Sequence, residues 1–145
     1  MDFQRDYELG DLYVRHAVDE HPDDGAFSMH IHERCEFFCF VAGKAEYLVE
    51  GARYPLEPGD LMIMSPLESH RAKILKDRKY ERYVLNFSVS AVEKIDSRHH
   101  LLKPFFDRPA GRGNLYKPSE LPDVAVVQNF RAMCREELDD YGRRI

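Results

Sequence analysis

The fold is decided by the stretch His30-Ile-His32-Glu-Arg-Cys-Glu36-Phe-Phe-Cys-Phe-Val-Ala-Gly43. On a strand, His30 and His32 point to one face because successive side chains alternate. Glu36 opens the next predicted strand, and a hairpin can fold its carboxylate back beside the two imidazoles. A second stretch, Pro58-Gly-Asp-Leu-Met-Ile-Met-Ser-Pro66-Leu-Glu-Ser-His70, ends in a histidine that can supply a fourth donor.

These four side chains form a candidate metal site. Three neutral imidazoles and a carboxylate suit a divalent transition metal, namely zinc, nickel, iron or manganese. The predicted ligands are His30, His32, Glu36 and His70. The alternative is that the same histidines line a polar pocket and hydrogen-bond a ligand or water.

The composition excludes several classes of protein. The chain has 145 residues, 43% hydrophobic and 32% charged, which indicates one globular domain. No apolar run approaches the ~20 residues that cross a bilayer, and no secretory signal opens the chain. The net charge is −5, with basic and acidic residues intermixed, which argues against a phosphate-backbone grip. Cys35, Cys39 and Cys134 lack metal-binding spacing and indicate reduced thiols in a cytoplasmic protein.

Short strands with turns between them are predicted up to residue 88. Residues 1–11 are polar and are predicted to be a loose lead-in. The strands are predicted at 12–18, 26–32, 36–42, 45–50, 53–56, 61–65, 70–75 and 80–87. Regular short strands are typical of a β-sandwich or barrel, so the fold class is mainly β, with residues 1–88 as the barrel.

Helical patterns replace the strands in residues 89–145. Ser90 is predicted to cap a short helix at 91–95, and a helical piece at 99–106 is predicted to stop at Pro104. A brief strand is predicted at 115–116. From Pro122 onward, apolar residues recur every three or four positions, which predicts an amphipathic helix of ~20 residues. Its apolar face comprises Val127, Phe130, Cys134, Leu138 and Tyr141. That face either packs on the barrel or pairs with a second subunit.

The two opening stretches resemble the cupin motifs. His30-x-His32-xxx-Glu36-x6-Gly43 matches the first motif, and Gly51 through Pro58-Gly-Asp60 to His70 resembles a relaxed second motif. The resemblance implies a cupin fold, a double-stranded β-helix or jelly-roll barrel, followed by C-terminal α-helices. Two departures argue against catalytic cupin chemistry: four residues separate Gly25 from His30, and no asparagine follows His70 at the usual place.

Longer phrases resemble the N-terminal half of AraC-type transcription regulators. They are Tyr47-Leu-Val-Glu-Gly-Ala-Arg53-Tyr-Pro-Leu-Glu-Pro-Gly-Asp60-Leu, Ser65-Pro-Leu-Glu-Ser-His70-Arg and Tyr80-Glu-Arg-Tyr-Val-Leu-Asn-Phe87. In that family, this half senses a small effector, often a sugar, and dimerises through helices after the barrel. The resemblance implies a homodimeric sensor domain that is not an enzyme. DNA would be bound only through a C-terminal helix-turn-helix region that is not in this chain.

The candidate effector-binding residues are Glu36, Phe38, Phe40 and Arg82. Phe38 and Phe40 share a strand face with Glu36 and suit stacking on a sugar ring, although plain core packing is the alternative. If Arg82 faces inward, it can fork onto a carboxylate or a pair of sugar hydroxyls. The alternative to ligand binding is that Arg82 forms a salt bridge to a neighbouring acidic residue at the barrel rim.

Two other functional interpretations remain open. A small metal-dependent cupin enzyme, such as a sugar isomerase or dioxygenase, would use the same His30, His32, Glu36 and His70 to hold its ion. Against it, the sequence singles out no separate general base. A stand-alone binding protein would have neither activity nor a DNA partner. The reading frame beyond Ile145 separates the three, because only the regulator continues into two helix-turn-helix patterns.

Overall fold

Short strands at regular spacing fold into two antiparallel sheets. The computed structural model describes residues 2–98, 100–121 and 126–134. Its strands are β1 (Phe3–Leu9), β2 (Leu12–Asp19), β3 (Cys35–Ala42), β4 (Ala45–Val49), β5 (Ala52–Pro55), β6 (Leu61–Met64), β7 (His70–Ile74), β8 (Tyr80–Phe87) and β9 (Leu115–Tyr116). The larger sheet has the order β1-β2-β8-β3-β6-β9, and the smaller has the order β5-β4-β7. The predicted mainly β class is confirmed.

Side chains from both sheets fill the space between them. Phe40 and Met62 from the larger sheet meet Tyr47, Val49 and Ala72 from the smaller one in a single buried cluster. Each such side chain contributes roughly 1.5–3 kcal/mol when it is fully buried. The inner faces of the neighbouring strands β3 and β8 are therefore held opposite that of β4, and the site described below lies between the two sheets.

The helices lie outside the sheets. They are α1 (Val89–Glu93), α2 (Lys103–Phe106) and α3 (Val126–Met133). Helix α3 packs on the outer face of the larger sheet, where the Phe130 ring stacks on Tyr83 with centroids 5.6 Å apart. Phe130 and Cys134 thus pack on their own barrel, whereas the predicted apolar residues Leu138 and Tyr141 lie outside the described residues. No helix in the described part of the chain is long and apolar enough to cross a membrane.

The N-terminal segment is a strand and not the loose lead-in predicted at 1–11. Strand β1 pairs with β2 along its whole length, from Phe3 opposite Val18 to Leu9 opposite Leu12. The many polar residues of β1 make it look like a loop in the sequence. Its order comes from its neighbour, because Asp6 accepts hydrogen bonds across the pair from β2.

The strand predicted at 26–32 is also wrong. A 3-10 turn occupies Asp24–Ala26, and His30 forms an isolated bridge with His70, with both backbone hydrogen bonds at 3.0 Å. The Asp24 carboxylate accepts from the Ile74 N–H at 2.8 Å and binds the Arg71 guanidinium. The preceding Asp23 accepts from the Gly25 N–H at 3.0 Å, a local hydrogen bond of the kind that competes with strand pairing.

Two predicted helix boundaries need correction, while the short strand is right. Ser88, and not Ser90, caps α1, because its hydroxyl accepts from the Ala91 N–H at 3.2 Å. Pro104 lies in the first turn of α2, where a missing N–H costs nothing, so it does not stop the helix. Strand β9 forms as predicted and pairs with β6.

Candidate functional site

Four side chains converge between the two sheets. His30, His32, Glu36 and His70 each offer one ligand atom, and these atoms all lie within 4.8 Å of one another. Glu36 projects from β3, and His70 opens β7. The backbone bridge to His70 holds His30 in place, so the two imidazole centroids lie 4.2 Å apart. The structure therefore brings together all four residues that the sequence singled out as possible metal ligands.

Backbone hydrogen bonds orient two of the imidazoles. His70 Nδ1 donates to the Glu68 carbonyl at 2.7 Å, and His30 Nδ1 donates to the Ser28 carbonyl at 3.2 Å. This arrangement leaves the Nε2 lone pair of each ring free to coordinate. His70 Nε2 is buried, lies 3.5 Å from Glu36 Oε2, and has no hydrogen-bond partner among the described residues. A buried, unpaired acceptor is costly, so this donor set fits a divalent metal ion.

Glu36 is buried but ionised. Burial alone would raise its pKa, but contacts with His32 and His70 lower the pKa to about 2. His32 Nε2 lies 3.4 Å from one carboxylate oxygen, and the Tyr47 hydroxyl donates to the other at 3.3 Å. The cluster therefore presents a negatively charged oxygen at neutral pH, which a divalent cation accepts as a ligand.

His30 and His70 differ in their affinity for protons. Burial lowers the pKa of His30, and the neighbouring His70 lowers it further. Burial also acts to lower the pKa of His70, but Glu36 outweighs it and raises that pKa above its usual value. Because a metal ligand must be deprotonated, a metal ion would compete with a proton at His70.

A cavity of about 390 Å³ opens beside the cluster. Its wall on the larger sheet consists of paired residues in successive rows, first Glu36 with Asn86 and then Phe38 with Val84. Tyr47 adds an aromatic wall from the smaller sheet. This volume falls within the range of small-molecule sites, which combine apolar walls with a few polar groups.

The predicted effector-binding residues divide between the cavity and the core. Glu36, Phe38 and Arg82 line the cavity. Phe40 is fully buried in the core, with its ring 6.3 Å from that of Tyr80, and is not among the lining residues. Phe40 keeps the regular register, opposite Arg82, and lies on the same inner face as Phe38. It packs into the core because neighbouring buried side chains, among them Tyr80, cover its ring.

Arg82 satisfies both alternatives that the sequence left open. Its Nη1 donates to the buried Asp19 carboxylate, so the salt bridge exists. The same guanidinium lines the cavity and lies over the Tyr80 ring at 4.5 Å and the Phe27 ring at 5.3 Å. Arg82 is therefore held in place by Asp19 while remaining at the cavity wall.

Several site residues were missed from the sequence. Asn86 lies four positions after Arg82 on β8 and so shares its face, a signal that the alternation already contained. Its Oδ1 is buried without a hydrogen-bond partner in the described part of the chain. Tyr47 and Arg15 also line the cavity. Neither had a local signal, because each reaches the cavity only through the pairing of distant strands.

Comparison with solved structures defines the class of protein as a cupin barrel. A cupin 2 conserved barrel domain protein from Salinispora arenicola is 20% identical, with a TM-score of 0.52, over 66% of this chain and 83% of that chain. The cupin domain of Cnp3 from Schizosaccharomyces pombe is 13% identical, with a TM-score of 0.52, over 64% and 67%. AerE from Microcystis aeruginosa is 14% identical, with a TM-score of 0.52, over 58% and 40%. These likenesses concern the fold alone.

A family model narrows the assignment from the cupin fold to one protein family. The family model of the AraC-like ligand-binding domain matches residues 13–140, so the chain belongs to this family. A search of curated proteins finds no match. The match extends through β9 and α3 and therefore joins the barrel and the described helices in one family domain.

Proposed function

We propose that this chain is the effector-sensing domain of an AraC-type transcription regulator and that its cavity binds a sugar-like small molecule. The observation that carries the proposal is a cavity of about 390 Å³ inside the barrel of a ligand-binding family. Phe38 and Tyr47 offer apolar ring faces, while Glu36, Asn86 and Arg82 offer polar groups. This combination suits a hydroxylated ring.

A thermal-shift screen over sugars and other small metabolites tests the sensing role. Ala72 lines the cavity and is buried, so Ala72→Leu should fill the space and abolish the shift given by any true ligand. Ala110→Leu, at an exposed loop position, is the matched control and should leave the shift intact. The sensing role fails if no compound of any class stabilises the wild-type protein, or if every hit stabilises Ala72→Leu equally.

We also propose that His30, His32, Glu36 and His70 bind one divalent transition metal, zinc, nickel, iron or manganese. The ion would supply a Lewis-acidic centre at one end of the cavity. Metal analysis after purification without nickel affinity should find about one equivalent in the wild type. The ion should be lost in His70→Ala and retained in His21→Ala, whose side chain is exposed. A wild-type protein that takes up no stoichiometric ion, even with added zinc, overturns the proposal.

For the helical region, we propose that residues 89–145 mediate homodimerisation and connect residues 1–88, the effector-binding barrel, to a DNA-binding region. Exposed apolar side chains on the described helical segments support this role, with Ile95 79%, Leu101 58% and Phe106 49% exposed. Sedimentation should detect a dimer that Leu101→Lys weakens. Leu75→Lys, at another exposed apolar position, is the control. An unchanged monomer–dimer equilibrium in Leu101→Lys would show that the dimer interface does not include this exposed apolar surface.

DNA would be bound only by a helix-turn-helix region outside this chain, in a cytoplasmic protein whose described cysteines are free. Determining the reading frame beyond Ile145 tests this part directly, since two helix-turn-helix patterns are expected there. A stop codon shortly after Ile145 contradicts it.

The enzyme alternative is favoured by one observation, the clustered His30, His32, Glu36 and His70 beside a cavity. A small metal-dependent cupin enzyme, of the sugar isomerase or dioxygenase type, would convert its ligand into a product. A sensor binds its ligand and releases it unchanged. Incubating the metal-loaded protein with each hit of the screen and following the compound by NMR distinguishes the two. Turnover of a hit, lost in Glu36→Gln, establishes the enzyme.

A further inference from the structure

The charged groups that line the cavity are mostly cationic. Arg15 and Arg82 line it, opposed by the single carboxylate of Glu36 among the lining residues. The aspartates that pair with the arginines, Asp6 and Asp19, are not among the lining residues. The chain as a whole carries a net charge of −5, and each of the two arginines is bound to one aspartate, so the attraction for an anion depends on the guanidinium groups that face the cavity. A cationic wall inside an acidic protein favours an anionic occupant.

On strands β3 and β8 the cavity wall has two polar ends separated by an apolar middle, and Arg15 of β2 lies beside that middle, opposite Val84. Along β8, Asn86, Val84 and Arg82 share one face. Asn86 is paired with Glu36 at one end, Val84 is paired with Phe38 in the middle, and Arg82 lies at the other end. Asn86 and Arg82 are four positions apart on this strand, which places their Cα atoms about 13 Å from one another. A ligand between these two ends meets Asn86 and the four candidate metal ligands at one end and a guanidinium at the other.

Arg82 is built to bind an anion. Asp19 engages Nη1, whereas a guanidinium carries N–H donors on all of its nitrogens, so donors remain for a second carboxylate. The Tyr80 and Phe27 rings, which also line the cavity, lie 4.5 Å and 5.3 Å from the guanidinium carbon and restrict its orientation. A fixed planar guanidinium recognises a carboxylate through paired hydrogen bonds, and it does so more strongly where water is excluded.

We propose that the ligand is a sugar acid, whose carboxylate binds Arg82 with help from Arg15 and whose hydroxyls face Glu36 and the histidines. This assignment rests on the sensing role proposed above and narrows it from sugars in general to anionic sugars. Neutral sugars lack the group that Arg82 and Arg15 recognise, and they leave the guanidinium donors without a partner.

Matched sugars that differ only at carbon 6 test the assignment. Isothermal titration of the purified protein compares glucose, glucuronate and glucose 6-phosphate, and likewise galactose, galacturonate and galactose 6-phosphate. At least one uronate should bind about tenfold or more tightly than its neutral partner. The 6-phosphates serve as the second anionic arm. They should bind more weakly than the uronates because their phosphorus lies two bonds farther from the sugar ring than the carboxylate carbon does, so the anion does not meet the guanidinium in the same position.

Arginine variants locate the source of the preference. Arg82→Gln should reduce the uronate-to-neutral preference by about tenfold, and Arg15→Gln should reduce it by a smaller factor. Arg53→Gln removes the same charge from a residue that does not line the cavity, and it should change nothing. Since Arg82→Gln removes the cation that Asp19 binds, the double variant Asp19→Asn/Arg82→Gln provides a second test in which both charges of the pair are removed together.

Each remaining outcome overturns the assignment. Equal binding of neutral sugars and uronates does so, as does a preference that survives both Arg82→Gln and Arg15→Gln. Tighter binding of the 6-phosphates than of the uronates would mean that the cavity recognises a phosphate and not a carboxylate. Binding of neutral sugars alone overturns the sugar-acid assignment but leaves the sensing role standing, whereas the sensing role itself falls only with the Ala72→Leu screen. Failure of every compound in these sets to bind at about 10 mM also rejects the assignment.

Discussion

Two buried arginine–carboxylate pairs lie in different parts of the barrel and have different surroundings. The Arg108–Glu68 side chains are 8% and 4% exposed, and the Arg82–Asp19 side chains are 6% and 10% exposed. Glu68 also accepts hydrogen bonds from the Ser65 and Gly111 N–H groups, so its oxygens are fully used. Arg82, by contrast, faces the cavity. Burial alone therefore does not distinguish the roles of the two pairs.

The difference lies in what each pair leaves free. A pair whose donors and acceptors are all used by the protein can only hold the structure together. Arg108–Glu68 ties the turn before β7 to the loop 108–114, and the Glu68 carbonyl orients the His70 ring. A pair with spare donors at a cavity wall can still bind a ligand. Arg82–Asp19 is thus the candidate recognition pair, and Arg108–Glu68 is its structural counterpart.

The largest expected effect is a loss of stability in Arg108→Met. Glu68 would remain buried without its counter-charge, so the free energy of unfolding should fall by about 3–5 kcal/mol. Arg82→Met should cost less, about 1–3 kcal/mol, because water can enter through the cavity and solvate Asp19. Urea denaturation measures both. Arg53→Met, at an exposed surface pair, is the control and should change stability by less than about 1 kcal/mol. Equal losses at Arg108 and Arg82 contradict the comparison.

The next effect concerns stability in acid. Burial acts to raise the pKa of Glu68, but Arg108 and the Gly111 and Ser65 N–H groups lower it well below its usual 4.5. The unfolded chain therefore takes up this proton at higher pH than the folded chain does. The resulting stabilisation is complete above about pH 5 and is lost progressively as the pH falls towards the folded pKa.

Glu68→Gln should consequently flatten the decline in stability below about pH 5. Urea midpoints measured at a series of acidic pH values give the slope. Glu57→Gln removes the same charge at an exposed position and should keep the wild-type slope. A slope in Glu68→Gln that equals the wild-type slope shows that Glu68 does not take up the proton that destabilises the fold. Glu36, whose pKa is lowered to about 2, then becomes the main candidate.

The sequence predicted the residues around the cavity better than it predicted the structural pair Arg108–Glu68. His30, His32 and Glu36 were readable because ligand chemistry and strand alternation operate over a few residues. Arg82 was readable as a residue on a strand face, but its partner Asp19 lies 63 positions away. Glu68 and Arg108 are separated by 40 positions, and no local pattern joins them.

The errors in the fold have the same physical origin. The polar residues of β1 indicate a strand only once β2 is present to bind Asp6. Residues 26–32 have strand-like composition, but the bonds of Asp24 to the distant Arg71 and Ile74 favour a turn. In both cases a long-range partner decided the conformation, and a single sequence without its contacts does not identify that partner.

A smaller effect is expected from the loop that Glu68 holds. Gly111 has φ +77°, and an added Cβ would lie 2.9 Å from both Glu50 Cβ and the Val49 carbonyl oxygen. Gly111→Ala should therefore destabilise by about 2–3 kcal/mol, through backbone strain and displacement of the loop. Gly10→Ala shares the positive φ, at +59°, but meets no atom within 4 Å, so only about 1–2 kcal/mol is expected. Equal losses of stability in Gly111→Ala and Gly10→Ala, measured by thermal or urea unfolding, would show that the loop 108–114 shifts at little cost and does not hold Glu68 in place.

The smallest expected effect connects the structural pair to the candidate metal site. The Glu68 carbonyl accepts from His70 Nδ1, and the Glu68 carboxylate fixes the turn that carries this carbonyl. Partners of metal-binding histidines tune affinity by roughly tenfold or more. Glu68→Gln keeps the carbonyl and only loosens the turn, so zinc affinity should fall by about tenfold. Competition with a chromophoric chelator measures this change, with Glu57→Gln as the control. Unchanged affinity in a destabilised Glu68→Gln protein would mean that the pair supports the fold without positioning His70. Zinc affinity measured in the same way should be unchanged in Arg82→Gln. Arg82 binds Asp19 and lines the cavity, and it forms no hydrogen bond or ion pair with the four described candidate metal ligands.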